Sequence, residues 1–406
     1  QEQSELNGYT CDEIYYQGID LKYVTMYQTF IIFRAPMTDA LNKFIKQAKK
    51  YNKTVIFDID DLVIDTKYTD CIPYVHSMKE EQKIQYDKDV MAMKETLQNC
   101  DFAITTTEAL QRELETYIPK VFINRNTASN EMVSLSQKAL KEKKESSKIK
   151  IGYFSGSITH NADFEMIQSV IVETLNQYDN VELHLVGELD LPDELKQLEN
   201  KVKVHPFMDY KELPKLIHEM DINLAPLTES IFNEAKSEIK WIEAALVQVP
   251  TIASDFGAFK KCIQHNKNGL LCSTQEEWKN ALKLLINNVE VRKSIALNAY
   301  EYVMENCITM YTGHKLVNIL KENVSEDITF AITKMEISGG IIVCLKHASI
   351  LQDHGYNVSF MSLYDTVNSY TYMDHEFPVI PLDKEKLDCH FNKVIATMWP
   401  TVEMVK

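Results

Sequence analysis

No run approaching about twenty uninterrupted apolar residues occurs in the 406-residue chain, which argues against a membrane-spanning helix and leaves a soluble or at most peripheral protein as the expectation. Basic residues are in short supply. With 43 Lys and Arg against 59 Asp and Glu the formal charge is −16, which opposes non-specific binding to nucleic acid and to anionic membrane. A phosphate-bearing ligand must therefore be held by locally placed groups. The eight cysteines include no C-x-x-C pair and no histidine at zinc-finger spacing, so a reduced, cytosolic interior is expected. The chain contains no G-x-G-x-x-G fingerprint, no repeat of about 20 to 50 residues, and no basic and apolar leader. Because it begins at Gln1 and ends at Lys406 just after a strand-like run, it reads as a fragment of something longer.

What is present is an ordinary globular composition, 45% hydrophobic and 25% charged, over a length that suits two or three domains. Apolar β-rich runs alternate with helical patterns, which predicts parallel sheets covered by helices on both faces. The first strands are Thr29–Arg34, Thr54–Asp58, Phe102–Thr105 and Val121–Asn124, with helices Thr38–Lys49 and Glu80–Gln98 among them. The charged stretch Leu135–Lys148 suggests a boundary. Beyond it come Ile149–Phe154, Val181–Val186, Val202–His205, Ile222–Ala225, Thr251–Ser254 and Leu270–Cys272, enough for one doubly wound domain. Helical patterns over Val289–Glu305 and Met310–Glu322 follow. A third unit then opens with strand Ile328–Thr333, a tight turn at Gly339-Gly340, helix Ile341–Asp353, strand Asn357–Leu363 and a further strand Val394–Thr397.

Three segments could carry chemistry. In 233–246 (NEAKSEIKWIEAAL), read as one helix, Lys236, Lys240 and Glu243 share a face while Ile239, Ile242 and Leu246 form an apolar stripe. Two ammonium groups, the Ser237 hydroxyl and the free N–H groups of a helix start suit a diphosphate, and Glu243 suits a ribose diol. A solvated face of Lys–Glu pairs is the plain alternative. In 151–164 a strand runs into Ser155-Gly156-Ser157, a small-residue loop at the carboxyl edge of a sheet, followed by Thr159 and His160. His160 is either a donor to a ligand or a helix-capping, solvent-facing residue. In 54–62 the carboxylates Asp58, Asp60 and Asp61 end a strand. They could be a phosphatase-type nucleophile strand, a metal-holding D-x-D, a cleft lining that binds sugar hydroxyls, or a helix cap with a solvated loop.

Ser-Gly-Ser-x-Thr-His-x-x-Asp-Phe at 155–164, Lys-Ser-x-x-Lys-x-x-Glu-Ala-Ala at 236–245, Val-Pro-Thr-Ile-Ala-Ser at 249–254, Asp255-Phe256-Gly257 and Asn268-Gly269-Leu270 together resemble the donor domain of GT-B glycosyltransferases of the group 1, or family 4, type. The resemblance covers roughly residues 1 to 325. It implies an α/β, GT-B-like fold: two Rossmann-like, doubly wound parallel-sheet domains facing across a cleft, here with a partial third α/β unit. By position, Glu243 matches the second glutamate of the family's E-x7-E, while the first is replaced by Ala235, so the contact to the donor sugar is left unassigned. Residues 333–340, 346–348 and 396–401 resemble the opening half of another GT-B unit, similar to bacterial rhamnosyltransferases.

The resemblance implies a nucleotide-sugar-dependent glycosyltransferase, a retaining hexosyltransferase of bacterial surface-polysaccharide assembly, working in the cytoplasm or at the inner face of the membrane. The expected domains are 1–145 on the acceptor side, 146–305 for the nucleotide sugar, a closing helix and linker 306–325, and a partial unit 326–406. Asp60, His160 and Lys236 are expected to take part in transfer; Gly156, Ser157, Thr159, Lys236, Ser237, Lys240 and Glu243 are expected to hold the donor. No metal and no cofactor beyond the donor is expected. The implied partners are the nucleotide sugar and a glycan or lipid-linked acceptor, without nucleic acid, and with room for peripheral membrane contact and for self-association through the C-terminal segment. A non-catalytic partner or scaffold of the same fold, and a hydrolase built on Asp58 and Asp60, are the rival readings.

Overall fold

The chain is described by a computed structural model over residues 1–142, 147–155, 161–365, 367, 369–382 and 393–402. Three sheets organise it. The first comprises β1 (Thr29–Phe33), β2 (Thr54–Ile59), β3 (Phe102–Thr105) and β4 (Val121–Ile123), all parallel and side by side in chain order. The second comprises β5 (Ile149–Phe154), β6 (Val181–Val186), β7 (Val202–His205), β8 (Ile222–Ala225), β9 (Thr251–Ser254) and β10 (Leu270–Cys272), all parallel in the order β10-β9-β8-β5-β6-β7. Its direction of winding reverses between β5 and β8, and a crevice opens at such a switch point beyond the carboxyl ends of the strands.

The inner strands of the first two sheets, such as β3, β8 and β9, are buried along their whole length because they are apolar on both sides. On one face of the first sheet lies the helix Asp39–Lys50, which buries Leu41, Phe44, Ile45 and Ala48 at helical spacing and is capped by the Thr38 hydroxyl accepting from the Leu41 N–H at 3.1 Å. The other face is covered from far along the chain. Ile56, Phe102 and Ile104 pack against Leu316, Ile319 and Leu320 of the helix His314–Asn323 and against Val324 just after it. The crossing is fixed where Ala128 N–H donates to the Cys307 carbonyl at 2.8 Å and Thr309 N–H donates to the Ala128 carbonyl at 3.0 Å. The chain thus leaves the first domain, builds the second, and returns to finish the first.

The third unit has the order β13-β14-β12-β11-β15, with β11 (Asp327–Ile332), β12 (Asn357–Ser362), β13 (Ser369–Tyr372), β14 (His375–Pro381) and β15 (Lys393–Ala396). All pairs are parallel except β13 with β14. Two details differ from the sequence expectation. Gly339 and Gly340 are the first residues of the helix Gly339–Asp353 rather than a turn, because Ser338 caps that helix by accepting from the Ile341 N–H. The β13–β14 hairpin turns at Met373 and Asp374, with Met373 left-handed at φ 53°, where a glycine or asparagine would have announced the turn.

This unit packs on the first domain. Lys53 Nζ reaches Asp327 Oδ2 at 2.7 Å, with both side chains about nine-tenths covered, and the Asn357 amide donates to Asp327 Oδ1 at 3.1 Å. Replacing Lys53 by Met would leave a buried carboxylate short of its counter-charge, a change that costs on the order of 3 kcal/mol. The expected outcome is faster amide exchange over β11 and faster limited proteolysis near Val324–Asp327, with exchange in the second sheet unchanged.

Candidate functional site

The carboxyl ends of the first and second sheets face each other. At the end of β5, Ser155 donates its N–H to the Val186 carbonyl at 2.8 Å. Gly187 follows β6 at φ +95°, and a Cβ there would stand 1.9 Å from the Ser155 carbonyl oxygen, so only glycine fits. Gly156, Ser157, Thr159 and His160 lie outside the described residues. Beyond them Asp163, in the first turn of the helix Asn161–Gln177, is buried and gathers the neighbouring loops. Its Oδ1 accepts from the Thr228 N–H and hydroxyl, both at 2.9 Å, and from the Asn233 amide at 2.8 Å.

The stretch expected as one helix from Asn233 is two: Ile231–Glu234 and Ile239–Leu246. The break has a physical cause. In a continuous helix the Ala235 carbonyl would accept from residue 239, whereas here the Thr107 hydroxyl of the first domain donates to it at 2.9 Å. Lys236 and Ser237 therefore sit in the connecting turn, off the helix. Lys236 Nζ lies 4.0 Å from Asp163 Oδ2 and 5.2 Å from the Phe232 ring centre. Ser237 Oγ accepts from the Asn126 amide at 2.9 Å, a bond that joins the two domains.

Lys240 and Glu243 do lie on the helix, one turn apart. The Lys240 ammonium is buried 5.3 Å from the Tyr153 ring centre and makes no hydrogen bond among the described residues. Burial, and then the neighbouring Lys236, lower its pKa to about 8. Burial pushes the Glu243 carboxyl up to about 7, with Lys240 opposing. Lys236 is likewise lowered by burial, with Asp163 and, from the other domain, Asp61 acting against it. The expected stripe holds: Ile242 and Leu246 are buried and Ile239 is half-buried.

Facing these cations are the carboxylates of β2. Asp58, on the strand, has its pKa raised to about 6 by burial and then by Asp60. Asp60 is raised by burial and Asp61, with Arg34 opposing. Arg34, just after β1, places Nη1 at 3.0 Å from Asp60 Oδ1 and 3.1 Å from Asp61 Oδ2. Among the described residues no group of three or more His, Cys, Asp or Glu is arranged to hold a metal ion.

Around this centre the domains are pinned along a seam. Arg112 pairs with Glu234 at 3.0 Å and Lys261 with Glu108 at 3.1 Å, while Arg125, within the first domain, also pairs with Glu108. Phe232 and Ala235, both of the second domain, are buried in the hydrophobic core of the first. Arg125 Nη1 stands 3.9 Å from Glu238 Oε1. That nitrogen and Glu238 Oε2 make no hydrogen bond among the described residues, and both side chains line a cavity of about 30 Å³. This is room for a water to bridge them.

Residues 149–288 match the model of the family described as glycosyl transferases group 1. The fold is GT-B. A glycosyltransferase from Rickettsia africae superposes with a TM-score of 0.52 at 14% identity over 74% of this chain and 79% of that one. Anabaena HepE, solved with UDP and glucose, gives a TM-score of 0.51 at 15% identity over 74% and 80%. Glycosyltransferase 1 domain-containing protein 1 of Xenopus tropicalis is 31% identical over 129 residues, which are 31% of this chain and 37% of that protein, so the chain spans little more than a third of that relative's length. The solved structures show the GT-B fold, and the family model adds a likeness to group 1 glycosyl transferases over residues 149–288.

Asp163 and Arg34 are two residues beside the cleft to which sequence reasoning gave no role. Asp163 stood inside a quoted motif without one. Arg34 could have been found from the pairing of adjacent parallel strands, since Phe33 lies opposite Asp58 and the next residue falls beside the carboxylates.

The raised Glu243 carboxyl carries a pH signature. The native state holds its proton up to about pH 7, whereas an unfolded glutamate releases it near 4.5, so this group lowers stability progressively as pH rises through that interval. Glu243→Gln should remove this decline and leave the protein more stable at pH 8 by on the order of 1 to 3 kcal/mol, checked by denaturant unfolding at pH 5 and pH 8.

Proposed function

We propose that the chain is a glycosyltransferase that moves a sugar from a nucleotide-sugar donor to a glycan or lipid-linked acceptor. The observation that carries this reading is the pairing of Lys236 and Lys240, two desolvated cations beside the switch point of the second sheet, with Asp61 of the opposite domain acting on Lys236. A diphosphate offsets the cost of holding two cations away from water better than any single carboxylate. In the transfer, Lys236 and Lys240 stabilise the charge that develops on the departing nucleoside diphosphate, and the closed seam excludes water. Glu243 takes the ribose. Gly156, Ser157, Thr159 and Ser237 line the diphosphate, with His160 beside it and Asp60 on the acceptor side.

Because the lysines supply the positive charge, transfer needs no metal and no cofactor beyond the donor. Anabaena HepE was solved with UDP-glucose, which makes UDP the first nucleotide to test. Retention of stereochemistry, a hexosyl donor, and a place in bacterial surface-polysaccharide assembly, in the cytoplasm or at the inner membrane face, rest on the motif resemblance. The proposed domains are 1–145, 146–305, the linker 306–325, and 326–406 as the opening of a second unit similar to rhamnosyltransferases. One observation favours a non-catalytic second reading: Ala235 replaces a family glutamate and is buried in the core of the first domain.

Lys236→Ala should weaken UDP binding by about 1.5 to 3 kcal/mol in calorimetry. Unchanged affinity would remove the lysine from the donor site. Turnover of labelled nucleotide sugars by the full chain should persist in EDTA. Binding without any turnover would favour the non-catalytic reading, and loss of turnover restored by Mn²⁺ would return Asp58, Asp60 and Asp61 to a metal-binding role.

A further inference from the structure

We infer that Arg34 is the positioning residue of the acceptor side, holding Asp60 and Asp61 together as a pair of hydrogen-bond acceptors for neighbouring hydroxyls of one sugar ring. The inference rests on the glycosyl-transfer reading for its substrate class, a vicinal diol, but its geometry stands apart from that reading. One nitrogen, Nη1, donates to both carboxylates at 3.0 and 3.1 Å, so their oxygens are close enough together to meet adjacent hydroxyls. All three side chains are about one-third exposed, open to the cleft rather than sealed in a core.

The backbone is committed to this arrangement. Arg34 adopts a left-handed conformation at φ 45°, which disfavours any residue with a Cβ, and its N–H donates to the Asp58 carbonyl at 3.1 Å. A lysine ammonium could neutralise the pair, but on a flexible stem it fixes the positions of the two carboxylates less firmly than the rigid guanidinium does. The charges facing the pair are few. Asp58, on β2, lies near Asp60 just beyond the strand, Lys236 faces Asp61 from the second domain, and Tyr86 of the helix Glu80–Gln98 stands near Arg34 and Asp61 with Lys83 and Asp87 behind it. With two adjacent aspartates and a third two residues away, removal of the guanidinium leaves repulsion among like charges, which the pair relieves by taking up a proton. A protonated carboxyl turns one acceptor into a donor and loses the match to a diol.

The test uses the full chain, its Arg34→Met and Arg34→Lys variants, and carboxyl ¹³C NMR. The Asp60 titration midpoint should climb by about one pH unit or more in Arg34→Met and recover most of the way in Arg34→Lys. At a pH between the Asp60 midpoints of the two proteins, added methyl glucoside should shift the Asp60 and Asp61 carboxyl signals of the wild type and leave those of Arg34→Met unmoved. An Asp60 midpoint that is the same in wild type and Arg34→Met, or equal glucoside shifts in both, would overturn the inference. Calorimetry with UDP on the same samples separates the two levels: loss of UDP binding by the wild type tells against the donor site, while the carboxyl titration still decides the role of Arg34.

Discussion

The hydrogen bond from the Thr107 hydroxyl to the Ala235 carbonyl is the constraint on which the cleft depends. Its net worth is about 1 kcal/mol, but it is buried, so its loss would leave the Ala235 carbonyl without the donor it has now, while the Thr107 oxygen would keep the Leu110 N–H that it caps. Taking that carbonyl out of the helical ladder ends one helix at Glu234 and delays the next until Ile239. The interruption brings Lys236 close to Asp163 and turns Ser237 toward Asn126. It also leaves the Ala235 side chain in the first-domain core, where a glutamate would need to bury its carboxylate. The small residue and the domain contact are therefore two aspects of one packing solution.

Electrostatically the cleft is an arrangement of charges in partial imbalance. Asp163 is held by three donors and is not free to serve Lys236 alone. Lys240 lies deeper, and its nearest balancing charges are Asp163 and a glutamate that burial itself keeps partly protonated. A buried cation such as Lys240, with no hydrogen bond among the described residues, raises the free energy of the empty state, and an anion that brings charge to it recovers part of that cost. The acidic surplus of the whole chain works the other way at long range, repelling anions that do not fit. If the site takes the proposed diphosphate, its selectivity then rests on short-range geometry rather than on attraction by the molecule as a whole.

Much of this was legible in the sequence. The strands of the first two sheets fall where apolar β-rich runs predicted them, because buried parallel strands are written in continuous hydrophobic segments. Lys240, Glu243 and the buried stripe were placed correctly by helical spacing. Lys236 was not, since the bond that breaks the helix comes from a residue more than a hundred positions away and leaves no local mark. Arg34 was missed for the same reason: its role exists only once β1 and β2 are paired. In the third unit the hairpin went unseen because Met373 occupies a backbone conformation that side chains rarely adopt.

The return of the helix His314–Asn323 to the first sheet has a consequence for biosynthesis. When β4 leaves the ribosome, Phe102, Ile104 and Phe122 still lack the residues that cover them, and the whole second sheet must be translated before Leu316 and Leu320 arrive. At about 5 to 20 residues per second that interval is on the order of ten seconds or more, during which an aromatic face stays open on the nascent chain. The first domain is thus begun before the second and completed only after it. Its assembly calls for either a chaperone over that face or a second domain that folds fast enough to deliver the closing helix.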